Sequence, residues 1–185
     1  MIVVRTSELP YIVTISGKAE SGKDTLANMM ISHCEDAGYK ACIVHYADLL
    51  KYLAKQYFGW NGVKDEQGRQ LLQHLGTDIV RANNKSFWIE MAYAIIASVL
   101  CKFDVVFIPD ARFPNEIDFW KQRNGLLASV KVERPGYSNH LTEEQQRHLS
   151  ETALENYVFD YVVEAENIEQ LKESSLTLFE DLFIL

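Results

Sequence analysis

The sequence predicts an α/β fold in which helices cover both faces of a parallel sheet. Two observations lead to this fold class. Short apolar stretches rich in β-branched residues alternate along the chain with segments whose apolar residues recur at helical spacing. In addition, the 185 residues contain no tract rich in glycine, proline or serine that would separate two domains. We therefore expect a single domain over residues 1–185.

The predicted elements follow one another in a regular order. Residues 11–15 form the first strand, and the helix after it ends at Gly38. Further strands are expected at 41–45, 104–108, 126–132 and 157–163. Further helices are expected at 47–58, 66–81, 86–101 and from Pro114 onward. Asn167 is expected to cap a closing helix that runs towards Asp181.

Composition excludes several classes of function. The formal net charge of −8 argues against a protein that binds a nucleic acid polymer through a basic face. Three cysteines without paired spacing indicate reduced thiols and a cytoplasmic chain. Residues 1–10 include Arg5 and Glu8 and do not read as a signal peptide. The most apolar run, 91–101, is too short to cross a membrane and is expected to be a buried helix.

The most informative motif lies between the first strand and the first helix. Residues 17–25 (GKAESGKDT) match the phosphate-loop pattern G-x-x-x-x-G-K. The glycines let backbone N–H groups converge on phosphate oxygens, and the positive end of the following helix faces the same charge. Because the flanking strand and helix are the context that this motif requires, we expect it to bind nucleotide phosphates rather than to be a simple turn. The expected site consists of Gly17, Lys18, Ala19, Glu20, Ser21, Gly22, Lys23, Asp24 and Thr25.

Ligands of parallel sheets bind beyond the carboxyl ends of the strands, so the residues there are candidates. Asp110 is either a second Mg²⁺ contact or a carboxylate that caps the next turn. Arg112 either neutralises a transferred phosphoryl group or forms a surface ion pair, for instance with Glu116. Asp48 either caps its helix or faces the phosphoryl acceptor, and Lys51 either attracts an anionic substrate or is solvated.

A polar stripe without acidic residues marks the predicted helix 66–81. Its members recur every four residues and are Arg69, Gln73, Thr77 and Arg81. The packed face is expected to consist of Leu71, Leu72, Leu75 and Ile79. The stripe suits a substrate with a phosphate and a heterocyclic base, and the alternative is an ordinary solvated helix face. Trp88 either stacks on that base or belongs to the core.

The polar stretch 134–156 is typical of a lid that closes over phosphates and excludes water; we call it the lid segment. Arg134 and Arg147 are its candidate cations, with solvated surface positions as the alternative. A capping box is expected at Thr142 to Gln145. His148 has no visible carboxylate partner and is assigned to the surface.

Five motifs, taken together and in this order, resemble the deoxynucleoside monophosphate kinases of phages and bacteria. They are residues 22–25 (GKDT), 46–51 (YADLLK), 72–77 (LQHLGT) with Arg81 and Trp88, 110–116 (DARFPNE) and 150–154 (SETAL). The resemblance implies a three-layer P-loop NTPase fold with a five-stranded parallel sheet in the order 2-3-1-4-5, acting with ATP and Mg²⁺.

The resemblance also implies roles for individual residues. Lys23 and the loop amides would hold the ATP phosphates. The residues that would face the monophosphate are Asp48, Arg69, Arg81 and Trp88, within a monophosphate-binding helical region expected at about 47–101. Asp24 in the slot usually held by a hydroxyl fits this family, as it does animal-type phosphomevalonate kinases. It leaves open whether Asp24 or Thr25 meets the metal.

The function expected from these residues is transfer of the ATP γ-phosphoryl group to a deoxynucleoside 5′-monophosphate. Because the acceptor is a phosphate oxygen, positioning and charge neutralisation by Lys23, Mg²⁺ and Arg112 should matter more than the basicity of Asp48. One alternative is a kinase for another small acceptor, such as phosphomevalonate, dephospho-coenzyme A or a sugar. Another is a non-catalytic ATP-binding protein. The sequence leaves open base preference, sugar preference and whether the chain is a homodimer.

Overall fold

The structure, a computed structural model, describes residues 9–123 and 126–184. Most of the segment considered as a signal peptide, residues 1–8, lies outside the described residues. The strands are β1 Tyr11–Ser16, β2 Ala41–Ile43, β3 Val105–Ile108, β4 Leu126–Glu133 and β5 Tyr161–Glu164. The helices are α1 Lys23–Asp36, α2 Ala47–Tyr57, α3 Glu66–Gln73, a π-helix His74–Arg81, α4 Phe87–Ser98, α5 Pro114–Gln122, α6 Glu143–Arg147, α7 Leu149–Thr152 and α8 Ile168–Phe183.

The five strands form one parallel sheet in the order β2-β3-β1-β4-β5. This confirms the predicted fold class and strand order. Alternation along the central strands explains the three layers. In β3, Val105 and Phe107 pack towards α1 and α8, whereas Val106 and Ile108 pack towards α2, α4 and α5. All four side chains are buried, because each face of the sheet is covered by helices.

Two predicted boundaries are wrong for identifiable reasons. The strand expected at 157–163 begins only at Tyr161. Before it, the side chain of Asp160 accepts hydrogen bonds from the backbone N–H and the hydroxyl of Ser129, so only the backbone N–H of Asp160 pairs with β4, through the carbonyl oxygen of Ser129 at 3.0 Å. The single helix expected at 66–81 is α-helical only to Gln73 and continues as the π-helix. As a result Ile79, expected on the packed face, is exposed.

The apolar run 91–101 is also less buried than expected. Ala92 and Ile96 of α4 pack into the core, but Ile95 and Val99 are exposed. Among the residues that the structure describes, no helix is both long enough and apolar enough to cross a membrane. The closing helix agrees with the sequence, since the side chain of Asn167 caps α8 by accepting the backbone N–H of Gln170 at 3.0 Å.

Candidate active site

The phosphate loop curves between β1 and α1 at positions that only glycine tolerates well. Gly17 has a φ of 147° and Gly22 a φ of 99°. A Cβ at Gly17 would also collide with the carbonyl oxygen of Val132 in β4. Lys23 Nζ donates a hydrogen bond to the carbonyl oxygen of Lys18 at 2.5 Å and ties the end of the loop to its start. The backbone therefore has the curvature that phosphate binding by N–H groups requires.

Lys23 is buried although it carries an ionisable amine. Burial, and then the positive charge of Arg112, lower the pKa of Lys23 to about 7. The nearby carboxylates act in the opposite direction but do not offset burial; they belong to Glu151, Asp24 and Asp110. A polyphosphate beside the amine would favour its protonated form. The electrostatic environment of Lys23 is thus suited to an anionic ligand.

Two carboxylates flank the loop on the side of α2. Asp24 Oδ1 lies 2.8 Å from His45 Nε2, and this hydrogen bond lowers the pKa of Asp24 and raises the pKa of His45. The two oxygens of Asp110 accept the backbone N–H groups of Tyr46 and Ala47 at 2.9 and 3.0 Å. Asp110 therefore holds the beginning of α2, rather than the turn that follows β3.

A cavity of about 450 Å³ lies between the phosphate loop and the helices α2, α3 and the π-helix; we call it the helix-walled cavity. The predicted polar stripe faces into it. The substrate candidates on its wall are Lys51, Arg69, Gln73, Thr77, Arg81 and Trp88. Apolar side chains complete the wall, among them Leu50, Leu72 and Leu141. Converging cations beside an apolar wall suit a ligand that joins an anionic group to a flat ring.

Two residues of this wall are more buried than a solvated stripe would be. The indole Nε1 of Trp88 donates to the carbonyl oxygen of Gly76 at 3.0 Å, so Trp88 belongs to the core as well as to the cavity wall. Arg81 pairs with Glu116 at 2.9 Å, and its guanidinium carbon lies 3.6 Å from the centre of the Phe113 ring. The sequence pattern identified both positions but not these partners.

A second cavity, of about 380 Å³, lies on the other side of the loop beyond the carboxyl end of β4; we call it the β4 cavity. Its wall includes Gly17, Lys18, Ala19 and Ser21 of the loop. Arg134 also lines it, with its guanidinium carbon 4.1 Å from the centre of the Tyr137 ring. The lid segment thus contributes a cation and an aromatic ring to this cavity.

Four residues line both cavities and form the divide between them: Ala19, Arg112, Ser150 and Glu151. Arg112 Nη1 lies 2.6 Å from Glu151 Oε1. The ion pair of Arg112 with Glu116 considered from the sequence is wrong. Glu116 accepts the backbone N–H of Arg112 at 2.6 Å, while the guanidinium turns to Glu151. A cation therefore stands where the two cavities meet.

Glu20 connects the phosphate loop to both neighbouring walls. Within the described ranges, Glu20 is the one non-glycine residue with a positive φ, at 64°. Its carboxylate accepts hydrogen bonds from Arg69 Nη2 and Tyr137 Oη, each at 2.9 Å, and lies 2.8 Å from His140 Nδ1. The contacts with His140 and Tyr137 are the main cause of its lowered pKa. One carboxylate therefore joins the loop, α3 and the lid segment.

Some predicted residues lie away from the cavities. Asp48 is 56% exposed and contacts Lys51 Nζ at 3.1 Å, and it is on neither cavity wall in the described part of the chain. Thr25 is exposed and also absent from both walls, whereas Asp24 lines the helix-walled cavity. Arg147 is 81% exposed and pairs with Glu143 at 3.1 Å. The structure therefore does not bring Arg147 to the phosphate loop.

The lid segment has more tertiary contacts than the sequence suggested. The predicted capping box forms, with Thr142 Oγ1 accepting the N–H of Gln145 and Gln145 Oε1 accepting the N–H of Thr142, both at 3.2 Å. The side chain of Gln145 also donates to the carbonyl oxygen of Glu66 at 3.1 Å. His148, assigned to the surface without a partner, lies 3.3 Å from a carboxylate oxygen of Asp78. These contacts dock the lid segment on α3 and the π-helix.

Sequence reasoning missed the roles of three residues of the site. His45 ends the predicted strand 41–45, so the rule about strand ends would have identified it. Glu116 and Glu151 lie in motifs that carry the family resemblance, but neither spacing nor charge pattern indicates which arginine each one contacts.

A comparison with solved structures found many that match this chain, among them the following two, each matched over nearly its whole length. A mutant of the APS kinase of Mycobacterium tuberculosis is 10% identical, with 93% of this chain and 96% of that chain covered and a TM-score of 0.47. The shikimate kinase of Bacteroides thetaiotaomicron is 14% identical, with 95% and 99% covered and a TM-score of 0.48. A comparison with curated protein sequences gave no match.

The sheet order and the glycine loop between β1 and α1 define a protein of the P-loop NTPase fold class. The model of the deoxynucleotide monophosphate kinase family matches residues 60–174, which is well over half of the chain. The chain belongs to the deoxynucleotide monophosphate kinase family. It is a kinase, and its substrates are nucleotides.

Proposed function

We propose that this chain transfers the γ-phosphoryl group of ATP to the 5′-phosphate of a deoxynucleoside monophosphate held in the helix-walled cavity, with ATP in the β4 cavity. The observation that carries the assignment is the divide: Arg112 and Glu151 line both cavities next to the phosphate loop. Two nucleotides bound on either side would bring their phosphates together at one cation.

The composition of the helix-walled cavity supports the acceptor. Its wall presents two guanidinium groups, from Arg69 and Arg81, and two ammonium groups, from Lys51 and Lys64. A monophosphate dianion needs such neutralisation, and guanidinium groups bind its oxygens in a fixed geometry. The amide of Gln73 is a donor and acceptor suited to a base edge.

The β4 cavity supports the donor. The phosphate loop forms part of its wall, and the lid segment adds Arg134 above Tyr137. Lys131 lines the same cavity. These cations would lie along a polyphosphate that begins at the loop, and closure of the lid segment would keep water from the transferred group. We also propose that the enzyme is cytoplasmic, which the free thiols of Cys34 and Cys42 support.

The residues beside the loop fit Mg²⁺. Asp24 and Asp110 supply the hard carboxylate oxygens that this ion prefers, and both line the helix-walled cavity next to Lys23. Among the described residues, no cluster of three or more metal-ligating side chains exists, which agrees with an ion held by one or two carboxylates and by phosphates. Bound there, the ion would neutralise charge on the phosphates. Of the candidates considered from the sequence, Asp24 is better placed than Thr25.

The chemistry requires positioning more than proton abstraction. The acceptor oxygen of a monophosphate is largely ionised at neutral pH, so the chain needs no strong general base. Lys23 holds the outer phosphates of ATP, Arg112 neutralises the transferred group, and the acceptor-side arginines fix the attacking oxygen. The exposed position of Asp48 agrees with a reaction that does not depend on its basicity.

The test is an assay of ADP formation with ATP and Mg²⁺, in which each common deoxy- and ribonucleoside monophosphate is supplied in turn. Turnover with at least one deoxynucleotide supports the proposal and identifies the preferred base. Turnover only with an acceptor outside this set, such as phosphomevalonate, dephospho-coenzyme A or a sugar, would contradict it. Binding of ATP without product from any acceptor would indicate a non-catalytic protein.

A further inference from the structure

A buried carboxylate lies behind the arginines of the site. Glu116, in the first turn of α5, is 3% exposed. Its Oε1 accepts a hydrogen bond from Arg81 Nη1 at 2.9 Å. Its Oε2 accepts the backbone N–H groups of Arg112 and Phe113 at 2.6 and 3.1 Å. One side chain therefore contacts two of the arginines that the proposed reaction uses, Arg81 through its guanidinium and Arg112 through its backbone.

Burial of the Glu116 carboxylate is costly. Burial raises the pKa of Glu116 to about 7, even though Arg81 and the two backbone donors act to lower it. Buried ion pairs contribute little net stability compared with well-packed apolar residues of similar volume. The contact with the backbone N–H of Phe113 is the capping-box contact at the start of α5, whereas the contact with Arg81 points to a further gain in the placement of that guanidinium.

The remaining contacts of Arg81 show what is gained. Its Nη2 donates to Asn115 Oδ1 at 2.8 Å, and its guanidinium lies over the Phe113 ring. Together with Glu116, these contacts fix the plane of a guanidinium that lines the helix-walled cavity. A fixed plane matters because bidentate binding of a phosphate depends on orientation as well as on charge.

The same carboxylate fixes the turn between β3 and α5. Since Glu116 holds the backbone N–H of Arg112, the side chain of Arg112 leaves the turn in one direction and reaches Glu151 at the divide. A displaced turn would move this guanidinium away from the point where the two cavities meet.

We propose that Glu116 is a positioning residue that orients Arg81 towards the acceptor phosphate and fixes the turn from which Arg112 reaches the divide between the cavities. This inference rests on the proposed function, because the two arginines are assigned to the acceptor phosphate and the transferred group there. Glu116 lies at the wall of the helix-walled cavity, but both of its carboxylate oxygens are occupied by Arg81 and by the turn, so its proposed effect on the substrates is through the two arginines.

The test compares Glu116→Gln with Ile117→Val, a neighbouring substitution on the same helix at a fully buried apolar position. Glu116→Gln keeps the size of the side chain but loses the charge. We expect about tenfold higher KM for the deoxynucleoside monophosphate and about tenfold lower kcat, with the Kd for ATP unchanged. Ile117→Val should lower thermal stability and leave all three constants near those of the unmodified protein.

A double variant separates positioning from a general structural effect. If Glu116 acts through Arg81, the acceptor KM of Glu116→Gln combined with Arg81→Lys should be close to that of Arg81→Lys alone. Fully multiplicative effects of the two substitutions on acceptor KM would overturn the coupling to Arg81.

Further outcomes have distinct meanings. A folded Glu116→Gln variant with unchanged acceptor KM and kcat would overturn the positioning role. If that variant does not fold, Glu116→Asp takes its place, since the shorter aspartate side chain cannot reach all three donors. An unchanged acceptor KM of Glu116→Asp would again overturn the role.

Absence of transfer to any deoxynucleotide by the unmodified protein would contradict the proposed function instead. Binding of ATP by that protein would distinguish this case from a misfolded sample.

Discussion

Arg112 Nη1 and Glu151 Oε1 lie 2.6 Å apart on the divide between the two cavities. The side chain of Glu151 is 9% exposed, and its other oxygen, Oε2, has no hydrogen-bond partner among the described residues. A buried carboxylate with an unsatisfied oxygen is unfavourable, and it lies where two sets of phosphates would meet. Anionic ligands would therefore compete with Glu151 for the guanidinium of Arg112.

This relationship predicts that the geometry of Arg112 matters for turnover. Arg112→Lys keeps the charge but loses the planar fork that reaches both Glu151 and a phosphoryl oxygen, so kcat should fall about 100-fold. Arg123→Lys is a matched control, because Arg123 is exposed and lies over the Phe119 ring away from both cavities. Steady-state kcat measurements check this, and equal kcat for the two variants would contradict the role of Arg112.

Lys23→Met should remove activity and stabilise the ligand-free protein. The buried amine has a folded-state pKa lowered from 10.5 to about 7, so the unfolded state binds more protons between these values. The free-energy cost of holding the protonated Lys23 amine in the folded protein is absent above pH 10.5. It grows as the pH falls and reaches its full value below pH 7. We therefore expect Tm of the variant to exceed that of the unmodified protein most at pH 6–7, with kcat lower by about 1,000-fold.

The stability part of this prediction is checked by thermal unfolding without nucleotide across the pH range. A Tm difference that does not shrink towards high pH would show that folding does not lower the pKa of Lys23. Turnover near that of the unmodified protein would contradict the role of the phosphate loop.

Arg69 and Arg147 should differ although the sequence proposed both as binding residues. Arg69 lines the helix-walled cavity and contacts Glu20, whereas Arg147 is exposed and contacts only Glu143 among the ion pairs of the described residues. Arg69→Gln should raise the acceptor KM about tenfold through loss of a charge-assisted hydrogen bond. Arg147→Gln should leave the KM for both nucleotides unchanged. A larger effect of Arg147→Gln would restore that residue to the lid site.

Gly17 and Gly38 form a matched pair for the shape of the phosphate loop. Both have positive φ, but a Cβ would meet the carbonyl oxygen of Val132 at Gly17 and open space at Gly38. Gly38→Ala should cost about 1 kcal/mol of unfolding free energy and leave the Kd for ATP unchanged. Gly17→Ala should cost more and weaken ATP binding at least tenfold, which isothermal calorimetry measures. Equal ATP affinity of the two variants would contradict the close packing of the loop against β4.

Local patterns made the fold accessible from the sequence, and long-range contacts limited the prediction of the site. The short apolar runs of β1 and β3 and the cap at Asn167 are local features, so their elements were predicted to within a few residues. The polar stripe lines one cavity because helical spacing alone brings its residues to one side. By contrast, the Arg112–Glu151 pair joins residues 39 positions apart.

The same limit explains the errors. Because the α-helix continues as a π-helix at His74, Ile79 is exposed and not on the packed face. The spacing of apolar residues in the sequence does not predict where an α-helix changes to a π-helix. Arg147 and His148 are adjacent in sequence, yet only His148 faces the π-helix, through Asp78. Charge and position within a polar stretch do not distinguish such neighbours.

The central claim is tested most directly by following the labelled γ-phosphate of ATP in the presence of Mg²⁺ and each deoxynucleoside monophosphate. We predict that the label appears in a deoxynucleoside diphosphate, one label for each ADP formed, and that Lys23→Met abolishes this transfer. Label found only in inorganic phosphate, or no release of label by a protein that still binds ATP, would contradict the account.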